Sequence, residues 1–232
     1  MFRVCSFVLA LGAAVAIHQA AARANGSSMP SPSPSSSMSS PASLTPEQQA
    51  VQIYNSGIDH KNKGLKLEAD AVKQSAKDRE KTLAKAKDEY GKALKDFEKT
   101  AKLLPTAHQA YNGMGFSLRK TGDAAKALEM YDKALQLAPG FPDAIEYRGE
   151  AFLALNRIDD AKKAYLDLFA KDRKQADDLM KAMTAWVARQ QAAPAGVEPA
   201  AVSDLDTWIK ERANLAQLTA DMGVQSNQSV WR

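Results

Sequence analysis

Small and aromatic residues recur along this chain at one long period. Gly115 and Gly149, Ala127 and Ala161, and Tyr131 and Tyr165 are each 34 positions apart, with twelve residues from Gly to Ala and four from Ala to Tyr. Within each period the apolar positions fall three and four apart, the spacing of one buried helix face. The pattern predicts pairs of antiparallel helices in which small residues let the two backbones approach and the aromatic fills the remaining gap. Pro105 and Pro139 stand where one helix must end before the next begins. A unit of this kind cannot bury its apolar face alone, so neighbours stack into a solenoid with an extended concave surface.

A third unit emerges once an insertion is recognised. Gly57 and Gly64 are seven apart, as are Gly115 and Gly122, and Ala93, Phe97 and Pro105 repeat the spacing of Ala127, Tyr131 and Pro139. From Gly64 to Ala93 is 29 residues, whereas from Gly122 to Ala127 is five, so about 24 residues, roughly Leu65 to Asp88, split the first unit. The insertion has no Gly or Pro and is rich in Lys, Ala and Glu, a helical composition. Because the flanking helices run antiparallel, it must reverse, and Ser75 and Asp78 offer caps for the restart. The expectation is a helical hairpin lengthening each arm by about 12 residues, or about 18 Å. Leu65, Ala69, Val72, Ala76, Arg79, Leu83, Ala86 and Tyr90 alternate spacings of four and three and form its expected, thinly apolar seam. The hairpin reads as a docking arm, as a dimer contact, or as a solvated elongation.

Beyond the repeats, Asp177–Gln191 predicts an amphipathic capping helix with Leu179, Met183, Trp186 and Val187 on one face. A linker, Ala192–Pro199, precedes a final helix expected over Ser203–Ala220, capped by Ser203, with apolar positions at Trp208, Ile209, Leu215 and Leu218. Met222–Arg232 shows no periodicity, and Trp231 lies within it.

These marks resemble the tetratricopeptide repeat family, whose pattern places Gly or Ala at position 8, Ala at 20, an aromatic at 24, a small residue at 27 and Pro at 32. His108–Phe141 matches with Gly115, Ala127, Tyr131, Ala134 and Pro139, helped by Tyr111 and Gly122. Pro142–Gln175 keeps Gly149, Ala161 and Tyr165 but has Leu168 and Arg173 at the last two marks. The resemblance implies an all-α helix-turn-helix solenoid of about three repeats over residues 44–175, the insertion at 65–88, and capping helices and a tail over 176–232. It also implies a non-catalytic interaction module whose concave face binds a protein or peptide. On the family's inner-face positions stand Val51, Tyr54, Ile58, Lys61 and Asn62 in the first unit, Gln109, Asn112, Phe116, Arg119 and Lys120 in the second, and Asp143, Glu146, Glu150, Leu153 and Ala154 in the third. Such a groove is apolar-aromatic at one end, basic in the middle and acidic at the other. Members that clamp a C-terminal carboxylate use Lys, Asn and Arg from adjacent repeats; Lys61, Asn62, Asn112 and Arg119 match that set in part, while Glu146 and Glu150 oppose it. Packing of Tyr54, Ile58 and Phe116 between helices is the alternative to an open groove.

The N-terminus sets the expected compartment. Met1-Phe2-Arg3 is basic, Val4–Ile17 is apolar apart from Ser6, and Ala22-Arg23-Ala24 has the A-x-A form of a cleavage site. A membrane span needs about 20 apolar residues, so the reading is a signal peptide over residues 1–24 cleaved after Ala24, with Ala22 as runner-up. Cys5, the single cysteine, lies inside it without a lipobox, so the mature chain carries no thiol and suits an oxidising compartment. A bacterial, periplasmic protein without a stable membrane span is expected. Residues 25–43, almost all Ser, Pro and Met from Gly26 onward, have too little apolar surface to order and read as a disordered linker. Thr45 and Pro46 then suit a helix start.

The net charge of +4 falls to about +2 without Arg3 and Arg23, and basic and acidic residues are interspersed, which argues against a nucleic-acid partner. No catalytic constellation is legible: the mature chain has only His60 and His108, no His-Glu-x-x-His, no Gly-x-Ser-x-Gly and no phosphate loop. Asp159-Asp160 and Asp177-Asp178 are expected at helix beginnings, where acidic residues complement the dipole. The chain therefore reads as a non-enzyme without metal or cofactor. The function expected is an exported adaptor for a peptide or helix of a cell-envelope partner, the alternative a structural or assembly subunit docking through the 65–88 hairpin.

Overall fold

The structure, a computed structural model, describes residues 44–229, with side chains of the last helix described little beyond Leu215. The expected signal peptide, the Ser/Pro-rich linker and Trp231 lie outside the described residues. The fold is an all-α helical-repeat solenoid. Among the described residues eight helices follow one another: α1 (Pro46–Ala71), α2 (Ala76–Leu103), α3 (His108–Thr121), α4 (Ala124–Leu137), α5 (Pro142–Ala154), α6 (Ile158–Lys171), α7 (Arg173–Ala192) and α8 (Pro199–Ser229). Each packs on the next, and α1, α3, α5 and α7 also touch in series, forming the inner layer.

Local chemistry explains the helix boundaries. Thr45 caps α1 in a capping box with Gln48, and Pro46 occupies its first turn. Asp123 and Asp172 accept from the backbone of Lys126 and Gln175 at the starts of α4 and α7. Gly122 ends α3 with φ 107°, a left-handed conformation that glycine adopts without a Cβ clash. At the equivalent point, 34 residues on, Asn156 is left-handed at φ 58°.

The first hairpin reverses at residues 72–75, where Ser75 accepts from the backbone of Asp78 at 3.3 Å and donates to its carboxylate at 2.7 Å. With 26 and 28 residues, α1 and α2 are about twice the length of α3 and α4. Their contact differs from the expected seam. Leu65, Ala69, Val72, Ala76, Arg79 and Leu83 are exposed, and of that row Ala86 and Tyr90 alone are buried. The buried row of α1 is instead Ala50, Gly57, Gly64 and Ala71, each seven apart. A Cβ on Gly57 would stand 2.8 Å from the Phe97 ring, and one on Gly64 would collide with the Tyr90 ring. Small residues face rings because fully buried aromatics, each contributing about 1.5–3 kcal/mol, need the interhelical space that a larger α1 side chain would take.

The repeat marks work the same way farther along. Phe97 also fills the space above Gly113, and Tyr131 that above Gly115. The third unit departs: Leu179 of α7 covers Gly149, while Tyr165 packs edge-on against Trp208 at 5.3 Å. Helices α7 and α8 close this end with one apolar cluster that includes Leu168, Leu179, Met183, Trp186, Val187, Val202, Leu205 and Ile209. Three boundaries differ from expectation. α7 begins at Arg173, so Asp177-Asp178 lie in its second turn, where Asp178 binds Lys174 and Lys181. α8 begins at Pro199 rather than at a Ser203 cap and extends past Ala220 to Ser229. Leu215 and Leu218 are exposed rather than packed.

Candidate concave site

Helices α1, α3 and α5 bring most of the expected inner-face residues together, but as an interlocked layer. Phe116 is buried at its centre, with Tyr147 5.2 Å and Tyr90 5.8 Å away, both edge-on. Lys61 reaches across from α1 and places its Nζ 4.6 Å from the Phe116 ring centre and 5.5 Å from that of Tyr147. The Arg119 guanidinium lies 5.5 Å and 5.6 Å from the same rings and pairs with Glu150 of α5. Lys120 pairs with Glu68 of α1 at 2.6 Å. Each cation thus meets an aromatic face or a carboxylate of a neighbouring helix.

Burial sets the electrostatics. It pulls the Lys61 ammonium pKa down, against Asp143 and Glu146, which raise it. Burial, then Glu150, hold the Glu146 carboxyl well above its ordinary range, with Arg119 opposing. Tyr147 is raised by burial and by Glu146 and Asp143. Desolvation pulls the Arg119 pKa down, but Glu150, Tyr131 and Glu146 together outweigh it and hold the guanidinium charged. The expected division into basic middle and acidic end is therefore corrected: the basic residues of α3 are neutralised by carboxylates of α1 and α5.

The remaining expected residues lie around this layer. Tyr54 is half-buried, its ring 5.5 Å from Phe97, and Ile58 is half-buried beside it. Val51, Asn62, Gln109 and Ala154 are exposed, and Leu153 is buried in the core. Asp143 accepts from the side-chain amide of Gln175 on α7. Asn112, one turn before Phe116 and 8 % exposed, has a buried Oδ1 without a hydrogen-bond partner. Tyr147, Tyr90 and Glu68 belong to the layer although inner-face spacing did not select them; Tyr147 follows Glu146 directly and turns toward α3 instead. A second polar cluster lies on the hairpin: Glu89 of α2, nearly buried, binds His60 at 2.7 Å, Lys92 at 2.7 Å and Lys63 at 3.1 Å.

Among the described residues no group of three His, Cys, Asp or Glu is placed to hold a metal, and no helix is long and apolar enough to cross a membrane. A family model described as tetratricopeptide repeat matches residues 118–186, from the last turn of α3 into α7. No curated protein matches the chain. With helix pairs phased at 34 residues, Gly57 and Gly115 facing rings and this match from the end of α3 into α7, the chain carries tetratricopeptide repeats over residues 118–186.

Proposed function

We propose that the protein is a non-enzymatic, exported adaptor of the cell envelope that holds an extended or helical segment of a protein partner along its concave face. The observation that supports this reading is Asn112. Its buried, unpartnered Oδ1 lies on the inner layer, where leaving an acceptor unsatisfied costs about 1–3 kcal/mol. Because Oδ1 is out of solvent contact, a backbone N–H of a bound segment becomes its donor when the amide rotates toward the groove. Phe116, Arg119 and Lys61 are committed to one another and serve to hold the floor rigid. The signal-like N-terminus motivates the periplasmic assignment.

The test is affinity capture from cell-envelope extract with the full chain, Asn112→Ala and a hairpin deletion lacking residues 65–88. Capture by the wild type and the deletion but not by Asn112→Ala, with an unchanged thermal transition, is expected. Loss only with the deletion would move function to the hairpin, an assembly role favoured by the exposed Leu65, Val72 and Leu83. No partner in any arm would overturn the adaptor reading.

A further inference from the structure

The first helix carries two rows of heptad spacing, and the fold uses one. Ala50, Gly57, Gly64 and Ala71 are spent on α2. One residue on, Val51, Ile58, Leu65 and Val72 form a second row, interleaved by Asn55, Asn62 and Ala69 at alternating spacings of four and three. Val51 is 55 % exposed, Leu65 37 % and Val72 74 %; Asn55, Asn62 and Ala69 are also exposed, and Ile58 is half-buried. The row runs 21 residues, about 31 Å, which is three heptads of a two-helix seam. It is continuous with part of the seam expected within the hairpin, but it faces away from α2 and is unpartnered among the described residues.

We propose that this face pairs with a second copy of the same chain, the two α1 helices running antiparallel. A two-fold axis between Asn62 and Leu65 sets each Leu65 against the second copy's Asn62. The same register sets Ile58 against Ala69 and Val72 against Asn55, so Ile58, Leu65 and Val72 each meet a smaller or polar side chain, while Val51 falls beyond the second copy's turn. The flanking row supports that direction. Gln52, Asp59, Lys66 and Lys73 lie beside the seam, all exposed, and Asp59, Lys66 and Lys73 make no ion pair among the described residues. Antiparallel pairing brings Asp59 opposite the second copy's Lys66, twice by symmetry. Parallel pairing would set Asp59 and Lys66 on each flank against the second copy's Tyr54, Lys61 and Glu68, which are turned toward the packed layer.

Ile58 and Asn62 lie on the concave side, so the second copy covers that end of the groove. Pairing stands apart from the proposed adaptor role: a monomeric protein would leave the Asn112→Ala capture result unaffected.

The experiment uses the full chain with Cys5→Ser. Light scattering and sedimentation are expected to show a dimer. Asp59→Lys alone is expected to weaken it about tenfold, and Asp59→Lys with Lys66→Asp to restore it, since both positions are exposed and tolerate the exchange. Asn62→Cys is expected to cross-link to itself with a short bismaleimide. Asn55→Cys is not, because its counterpart then lies about 25 Å away along the helix. A monomer at all concentrations would overturn the proposal, including one in which residues 1–43 of the same chain cover the row. So would cross-linking of Asn55→Cys as well, the mark of parallel pairing, or a dimer indifferent to Asp59→Lys.

Discussion

Gly122 and Asn156 stand one repeat apart and both take the left-handed backbone that turns an inner helix into an outer one, at φ 107° and 58°. Two sequence solutions to one geometric requirement are thus visible in one chain. A Cβ added at Gly122 would meet nothing within 4 Å, so its substitution isolates the backbone cost. Gly122→Ala is expected to destabilise by about 1 kcal/mol, and Asn156→Gly to be neutral or stabilising by up to about 1 kcal/mol, in urea titrations.

The hairpin glycines behave differently. At Gly57 the added methyl would press on Phe97, a ring already held by Gly113 on its other side. Gly57→Ala is expected to lower stability by about 1–3 kcal/mol. Gly91, on the same hairpin, has open space around its missing Cβ. Gly91→Ala is expected to raise stability by up to about 1 kcal/mol. Equal effects at both positions in thermal melts would contradict the packing described.

Glu89 gives the acid limb of stability. Lys92, His60 and Lys63 hold its carboxyl down to about 2 from an ordinary 4.5, despite desolvation. A depressed acid stabilises the fold above its unfolded value, and that contribution is lost as pH falls from about 4.5 through about 2. Because both lysines are more than half exposed, the contribution is discounted to about 2 kcal/mol. Glu89→Gln is expected to lower stability at pH 7 and to flatten the loss between pH 5 and 2.

Glu146 acts in the opposite sense. Its carboxyl is raised by burial and by Glu150, so the folded state binds the proton more tightly than the unfolded one. That contribution is complete below pH 4.5 and declines as pH rises toward the alkaline side. Glu146→Gln, which keeps the protonated shape, is expected to match wild type near pH 4 and to melt higher near pH 8. A constant difference across that range would sink this account.

The stacked-pair architecture is legible in the sequence because its marks obey local geometry: Gly115 and Tyr131 must meet wherever two such helices pair. The hairpin reversal is legible for the same reason, since Ser75 and Asp78 form a local cap. Which face of α1 meets α2 is not legible. Leu65 and Val72 are the more apolar row, yet Gly64 and Ala71 are buried, because Tyr90 needs room and room is invisible to hydropathy. The inner-layer positions of Phe116 and Arg119 follow from helical spacing, whereas their closure by Lys61, Glu68 and Glu150 depends on lateral reach between helices. Asn156 as a turn residue and Leu179 over Gly149 were hidden because a repeat can meet the same need with different side chains.

The apolar cluster where α8 lies over α7 has a consequence for assembly size. Helical solenoids grow into filaments when an open last unit accepts the first unit of the next molecule. Here Val202, Leu205 and Ile209 occupy that surface from within the chain. One terminus of the stack is plugged, so association confined to α1 joins two molecules and stops, giving a bounded particle rather than a fibre.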